Sequence, residues 1–261
     1  MMIVVYVLAG LLGLCVGSFL NVVIYRVPNG MSIATPPSHC PKCGYRLRAV
    51  DNIPVLSYVF LGGKCHNCKE RISFRYTAVE LLNMALWLLC VLIFWKKSIV
   101  YACMAAAACS VFICIAFIDL EHQLIFDRFI ITLFVLGVVA IIFGRKVFPY
   151  MVWYDNILSC VIGGGLFLLV WFLGRLKYKR DALGGGDIKL AAAMGLLLGW
   201  RALLFAVLIA TVFGSIILLI LKKAKNYEDD KEYPFAPFLA AGAVIALLVG
   251  NQVVTAYLSL F

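Results

Sequence analysis

Long apolar runs recur along this chain and constrain its fold more than any other feature. Eight runs carry few charged residues, at about 2–24, 78–95, 99–118, 128–143, 155–174, 188–200, 202–221 and 236–258. Hydrophobic residues make up 64% of the chain, against roughly 45–50% in soluble domains. Most runs are long enough to cross a hydrocarbon core about 30 Å thick. We therefore predict an all-α polytopic membrane protein with about eight transmembrane helices.

The distribution of lysine and arginine predicts how these spans are oriented. If the loop 25–77 is cytoplasmic, all but five of the 23 basic residues fall on the cytoplasmic side. The five left outside are Lys96, Lys97, Arg145, Lys146 and Arg201. This asymmetry follows the positive-inside rule and places both termini outside. The net charge of +10 is then explained by topology and by contact with anionic lipid headgroups, and it gives no reason to invoke nucleic acid.

The polar segment 26–77 contains the motifs CPKCG and CHNC, which supply Cys40 with Cys43 and Cys65 with Cys68. Two thiolates on each tight turn predict a closed, tetrahedral zinc site, which a segment too short to build its own core needs for folding. Two disulfides or four free thiols are the alternatives, and a cytoplasmic location argues against disulfides.

The predicted zinc site separates the chain into three parts and is not expected to be catalytic. We predict a first transmembrane helix over 1–25, a cytoplasmic zinc-binding module over 26–77 and a membrane bundle over 78–261. A zinc ion with four protein ligands has no open coordination position, so the module is predicted to be structural. The run YEDDKEYP, 227–234, is predicted to be a solvated charged loop.

Three carboxylates fall at the predicted cytoplasmic edge of the apolar runs. Asp119 follows the third run, Asp127 precedes the fourth, and Asp187 precedes the sixth after three glycines. The topology brings Asp119 and Asp187 to the same depth, and the glycines allow a sharp bend and a close approach. Two carboxylates in one low-dielectric site do not readily both ionise, which provides an acid and a base for activating water against an amide.

Taken alone, these residues leave three interpretations open. The aspartates are a catalytic pair, a cation-coupling site in a transporter, or structural acids that cap helices or pair with Arg128 and Lys189. Capping explains Asp119 poorly, because its charge opposes the dipole at a helix end. A transporter predicts inverted repeats, and the chain shows no convincing internal repeat. A zinc-binding scaffold without catalysis leaves the placement of both aspartates unexplained.

Six motifs follow one another along nearly the whole chain: GSFLNVVIYRVP (17–28), the paired CxxC motifs, ISFRYTAVELL (72–82), FIDLEHQLIFD (117–127), GGGDIKLAAAMG (184–195) and PFAPFLAAG (234–242). In this order they resemble the motifs of the bacterial type IV prepilin peptidases. These are bifunctional leader peptidase/N-methyltransferases of the GxGD class of intramembrane aspartyl proteases. The chain departs from the family's usual pattern at Thr77 and Phe126, where proline is usual, and at Ala236, where glycine is common.

The resemblance implies that Asp119 and Asp187 are the catalytic aspartates. Asp127 is predicted to stabilise a turn rather than to act as a third catalytic residue. The resemblance further implies a prepilin or pseudopilin substrate whose short basic leader is cut at the cytoplasmic face of the bacterial inner membrane. It also implies N-methylation of the new N-terminus from S-adenosylmethionine, an activity associated with the zinc-binding module over 26–77. Arg75 and Glu80 lie just after this module and are the candidate cofactor-binding residues. The residues predicted to support the aspartates are Gly184, Gly185, Gly186 and Lys189.

Overall fold

The computed structural model describes residues 2–149, 152–178, 183–223 and 233–260. Within these ranges the chain is almost entirely helical, and seven helices are long and apolar enough to cross a membrane. They are α1 (Met2–Arg26), α3 (Phe74–Phe94), α4 (Ile99–His122), α5 (Asp127–Gly144), α6 (Trp153–Tyr178), α7 (Gly185–Lys223) and the C-terminal helix Ala236–Leu258. The short helix α2 spans Leu56–Phe60. The predicted all-α polytopic fold is confirmed.

The C-terminal helix is built from three consecutive helical segments. The helix consists of α8 (Ala236–Ile245), a π-helical turn (Ala246–Gly250) and α9 (Asn251–Leu258). The charged loop predicted over 227–234 lies outside the described residues except at its last two positions.

The difference between seven helices and eight predicted spans lies in α7. This element joins the predicted spans 188–200 and 202–221, and its backbone breaks at Gly199, where φ is 74° and ψ is 169°. Residues with a Cβ rarely adopt these angles, so glycine is required at this position.

The chain bends back sharply at this break. A Cβ placed on Gly163 of α6 would lie 2.6 Å from the carbonyl oxygen of Ala191 and 3.1 Å from Cδ2 of Leu203. In a straight helix, residues so far apart would be separated by about 18 Å along the axis. Two apolar segments, one on each side of Gly199, therefore correspond to the two predicted spans.

The chain divides into two compact units, Met1–Leu92 and Ile93–Phe261. In the first unit α1 and α3 approach each other backbone to backbone. A Cβ on Gly17 would lie 2.7 Å from Cα of Glu80, and one on Gly13 would lie 2.9 Å from Cα of Met84. Asn83 Nδ2 also donates to the Gly13 carbonyl at 2.7 Å. Small residues and interhelical hydrogen bonds of this kind hold helices together in membranes. The predicted boundaries at residues 25 and 77 stay predictions.

The second unit is built around α4 and α7. The helix α4 packs against α5 and α8, and α7 packs against α5, α6 and α8. The first segment of α7 is deeply buried, with Leu190, Met194 and Leu197 all fully inaccessible to solvent. This burial explains how a short apolar run is accommodated, because its sides contact protein rather than lipid. The shared packing on α8 also positions the cytoplasmic ends predicted for α4 and α7.

Candidate active site and metal centre

The two cysteine pairs lie on matching turns of the first unit. In the first turn, the N–H of Cys40 donates to the carbonyl of Tyr45 at 2.9 Å, and in the second the N–H of Cys65 donates to the carbonyl of Glu70 at 2.8 Å. A single β-bridge closes each turn on its outer side. The two motifs therefore fold into the same small structure twice.

Both turns require a positive φ directly after their second cysteine. Gly44 has a φ of 69° and Lys69 a φ of 58°. Glycine adopts this conformation freely, whereas a residue with a Cβ does so at a cost. The glycine in CPKCG therefore predicts this turn from the sequence alone, whereas CHNCK has lysine at the same position and does not predict it.

The four sulfur atoms form one cluster. The Sγ atoms of Cys40, Cys43, Cys65 and Cys68 all lie within 4.8 Å of one another, and those of Cys40 and Cys68 are 3.9 Å apart. Sulfurs about 2.3 Å from a tetrahedral zinc ion would be separated by about 3.8 Å. The structure thus brings all four predicted ligands together in a set that could hold a metal ion, and thiolates suit zinc rather than hard cations.

The backbone around the cluster favours the thiolate form that binds metals. The pKa of Cys43 is lowered to about 6, chiefly because the backbone N–H of Tyr45 donates to its sulfur. The pKa of Cys65 is also lowered, chiefly by the backbone N–H of Cys68 and then by that of Asn67. The backbone N–H of Glu70 also donates to the sulfur of Cys68, but burial and the three neighbouring sulfurs outweigh it and raise the pKa of Cys68 to about 11. Because cysteine binds metals only when deprotonated, the N–H groups favour metal binding at Cys43 and Cys65.

Asp119 is buried near the end of α4, with 6% of the residue exposed. The helix ends one turn later, where Gln123 adopts left-handed angles (φ 53°, ψ 39°) and its N–H donates to the Asp119 carbonyl. The backbone N–H of Ala236, at the start of α8, donates to the Asp119 carboxylate. A glycine would supply the same N–H, so the departure from the family pattern at Ala236 leaves this contact intact.

Asp187 lies in the first turn of α7, and the preceding glycines contribute differently to its placement. The Asp187 N–H donates to the Gly184 carbonyl at 3.1 Å, and the Gly184 N–H donates to the Asp187 carboxylate. A Cβ on Gly186 would lie 2.9 Å from Cβ of Ile125, whereas a Cβ on Gly185 would meet nothing within 4 Å. Close approach to the α4–α5 loop therefore requires glycine at 186 and not at 185.

The structure brings the two predicted aspartates together. The carboxylates of Asp119 and Asp187 lie close enough for their negative charges to repel each other. Asp187 Oδ1 is buried and accepts no hydrogen bond from the part of the chain that the structure describes. That oxygen therefore keeps its lone pairs for a donor such as water or a substrate amide.

Lys189 pairs with Asp127 rather than with either member of the aspartate pair. Its Nζ lies 2.6 Å from Asp127 Oδ1, and the two side chains are 56% and 66% exposed. An ion pair this exposed contributes about 0–1 kcal/mol. Asp127 and Lys189 lie at the edge of a cavity of about 440 Å³. The rest of its lining is formed by Ile130, Ile131, Phe134, Ile188 and Ala192. The contact links the first turns of α5 and α7.

The two residues predicted to bind the methyl donor lie on the first turns of α3. Glu80 is buried, and its Oε2 accepts a hydrogen bond from the backbone N–H of Val55 at 2.8 Å. The guanidinium of Arg75 lies over the ring of Tyr76, 5.3 Å from its centroid. Nothing local in the sequence indicates the partnership of Glu80 with Val55, because 25 residues separate the two.

The fold and these two sites define a multi-pass membrane protein with a buried aspartate pair at helix ends and a four-cysteine module. The family model described as Bacterial Peptidase A24 N-terminal domain matches residues 11–94, and the one described as Type IV leader peptidase family matches residues 106–219. No solved structure matches this chain.

Curated relatives match over nearly the whole length. The prepilin leader peptidase/N-methyltransferase of Pseudomonas aeruginosa is 34% identical over 95% of this chain and 91% of its own length. Proteins of the same name from Dichelobacter nodosus and Dickeya chrysanthemi are each 35% identical, over 94% and 92% of this chain and 91% and 90% of their own. This chain belongs to the prepilin leader peptidase/N-methyltransferase family, and the resemblance carried by its motifs is confirmed.

Proposed function

We propose that this chain is an intramembrane aspartic endopeptidase that removes the leader from prepilins or pseudopilins and then methylates the new N-terminus. The observation that carries the first activity is the pairing of Asp119 with Asp187 at the ends of two membrane-length helices. The relatives named above carry both activities in their names. Their membership in the same family supports a place in the bacterial inner membrane.

In this proposal the aspartate pair shares one proton and uses it to hydrolyse a peptide bond. Asp187 Oδ1, which is free of other donors among the described residues, accepts a proton from water as the water oxygen attacks the carbonyl carbon. The protonated member of the pair gives its proton to the carbonyl oxygen. Asp187 then gives the proton that it took from water to the leaving amine as the C–N bond breaks, and a hydroxyl of the tetrahedral intermediate returns a proton to the other aspartate as the new carboxyl group forms. The N–H groups of Ala236 and Gly184 hold the two carboxylates in position.

The position of the pair suits a substrate with an apolar helix next to its cleavage site. Both aspartates lie at the ends of apolar helices, so the apolar part of a prepilin can lie in the bilayer while the bond to be cut reaches the aspartates. A substrate peptide bond inside the hydrocarbon core would have to give up its hydrogen bonds before it could be cut. A site at the membrane edge avoids that cost.

We propose that the four cysteines bind one structural zinc ion. The matching turns, the sulfur separations and the N–H groups directed at Cys43 and Cys65 support this assignment. Such an ion would fold the module, because the surrounding segment contains little other core. Methyl transfer from S-adenosylmethionine is supported by the relatives' names, and the cofactor-binding role of Arg75 and Glu80 stays a prediction.

The transporter alternative is not supported. The relatives that match nearly the whole chain are named as peptidases and methyltransferases. The break at Gly199 resembles the discontinuous helices of transporters, but here it folds one helical segment back on the next. A second such break in a matching position is not found within the described ranges of the chain.

The proposed function is tested with the purified protein in detergent and one prepilin. We expect the product to lose only its leader, with a new N-terminus next to its apolar helix as read by mass. With added S-adenosylmethionine, the product is expected to gain the mass of one methyl group. An intact prepilin under conditions in which a known relative cleaves it would contradict the proposal.

The proposed orientation places residues 26–77 and the aspartate pair on the cytoplasmic side and both termini outside. A reporter inserted within 45–60 is expected in the cytoplasm, and one within 145–149 outside, because α3, α4 and α5 separate the two positions. The excess of basic residues in 26–77 fixes the direction. Reporters found on one side of the membrane would exclude this topology.

A further inference from the structure

The segment that connects the two cysteine turns is apolar and exposed. The stretch from residue 52 to residue 63, NIPVLSYVFLGG, contains no charged residue and is flanked by Asp51 and Lys64. We call residues 53–63 the connector. Its exposed large apolar side chains are Ile53, Leu56, Val59 and Phe60, and Phe60 is 83% exposed. A run of this length is too short to span a bilayer but is typical of re-entrant or interfacial segments.

The connector is held beside the membrane helices rather than out in solvent. The N–H of Val55 donates to Glu80 Oε2 at 2.8 Å, and the hydroxyl of Ser18 on α1 also donates to Glu80. Glu80 lies five residues beyond Arg75 on α3, which is about 7.5 Å along a helix axis. An arginine at the end of a span stays at the headgroup level. Helical side chains lean toward the helix N-terminus, so the Glu80 carboxylate and the Val55 bound to it lie below that level by at most this distance, within the depth reached by interfacial segments.

The polar groups of the connector's backbone have the hydrogen-bond partners that this depth requires. Non-helical backbone is tolerated near hydrocarbon only when its polar groups have partners. The Val55 N–H has Glu80 as its partner, and Pro54 has no N–H to satisfy. Six further N–H groups donate to carbonyls inside the connector itself, those of Leu56, Ser57, Val59, Leu61, Gly62 and Gly63.

The bond to Glu80 also stabilises a strained turn. Val55 has a φ of 62° and a ψ of −51°, and the Leu56 N–H donates to the Pro54 carbonyl at 2.6 Å. These are the features of the rarer, strained form of γ-turn. For a β-branched residue this conformation persists only where the surroundings enforce it. Glu80 is the polar group that enforces it, so the orientation of α2 depends on this carboxylate.

The charge around the connector matches an anionic membrane surface. Residues 26–77 contain eight lysines and arginines and two acidic residues. Basic residues close to a membrane surface each gain about 1 kcal/mol from anionic lipids. An apolar segment within a basic part of the chain, attached to two membrane helices, is complementary to the headgroup–acyl boundary, where apolar side chains would lie in the acyl region and basic ones among the phosphates.

We propose that the connector inserts its exposed apolar side chains into the headgroup–acyl boundary of the bilayer, where Glu80 fixes its depth. Lipid, rather than a second copy of the chain or the substrate, is the occupant of this surface. The proposal concerns how the cysteine module is seated on the membrane and does not depend on the peptidase reaction.

Photo-cross-linking in the full-length protein tests this insertion. Benzoylphenylalanine replaces Phe60, and in a matched protein it replaces Lys42, an exposed residue on the first cysteine turn. Both proteins are reconstituted into vesicles of phosphatidylethanolamine and phosphatidylglycerol and irradiated. We expect lipid adducts, identified by mass, at position 60 at least about tenfold above position 42. Equal lipid labelling at both positions, or adducts at 60 mainly to a second protein chain, would overturn the proposal.

A second comparison tests the role of Glu80. In the protein labelled at position 60, Glu80→Ala is expected to reduce lipid adducts several-fold, whereas Glu80→Gln, which still offers a carbonyl oxygen to Val55, retains most of them. The control is Glu70→Ala, which removes an exposed carboxylate of the same module. Unchanged labelling in a folded Glu80→Ala protein would refute the depth-fixing role. If the Glu80→Ala protein does not fold, the lipid labelling of the Glu80→Gln protein and the comparison of positions 60 and 42 still test the proposal.

Discussion

Replacing either Asp119 or Asp187 with asparagine is expected to abolish leader removal while the protein still inserts and folds. Asparagine has the size of aspartate but cannot accept and return a proton, and general acid–base catalysis alone contributes about 10²–10⁴-fold in rate. The asparagine carbonyl can still accept the N–H of Ala236 or Gly184, so the local backbone is retained. The measurement is the initial rate of prepilin cleavage by purified protein at matched concentration.

The matched control for this experiment is Asp127→Asn. Asp127 is a third acidic residue at the same helix ends, but its partner is Lys189 in an exposed ion pair, so appreciable activity is expected to remain. Near-normal cleavage by either the Asp119 or the Asp187 variant would exclude the assignment of that residue. Loss of activity in the Asp127 variant alone would instead indicate that cleavage depends on the ion pair between Asp127 and Lys189.

Loss of one zinc ligand is expected to separate the two activities. Cys40→Ser and Cys68→Ser should each lower zinc content and methylation strongly, because apparent binding free energies of about 10–16 kcal/mol for structural zinc are also folding free energy. Cleavage should fall less, because the aspartates belong to the second compact unit, which has its own buried core. Zinc is measured per chain, and methylated and unmethylated products are resolved by mass.

Cys15→Ser serves as the control for the zinc experiment. Cys15 lies on α1, outside the four-cysteine cluster, so its replacement should leave zinc content unchanged. If the ligand variants retain zinc and methylate normally, the metal assignment is wrong. If they lose both activities equally, the module is needed for the peptidase as well, for example by holding the connector against the membrane.

Some features of the protein follow from the sequence because their signals are local. Apolar runs of membrane length predict helices, since a helix satisfies its backbone polar groups without partners from elsewhere in the chain. The two CxxC motifs each place two thiols on one turn, so pairing them predicts a metal centre without knowledge of the fold. The order of six motifs likewise indicates the family, which the relatives confirm.

Other features were decided only by the tertiary structure, because they depend on contacts between distant segments. The sequence shows three glycines before Asp187, but only the approach of Ile125 singles out Gly186. Ala236 acts through its backbone N–H, which no side-chain motif can reveal. The sequence likewise does not indicate that the chain folds back at Gly199 or that the Val55 N–H donates a hydrogen bond to Glu80. Hydrophobic patterning determines which segments become helices, whereas close packing determines which backbone and side-chain groups meet where those helices end.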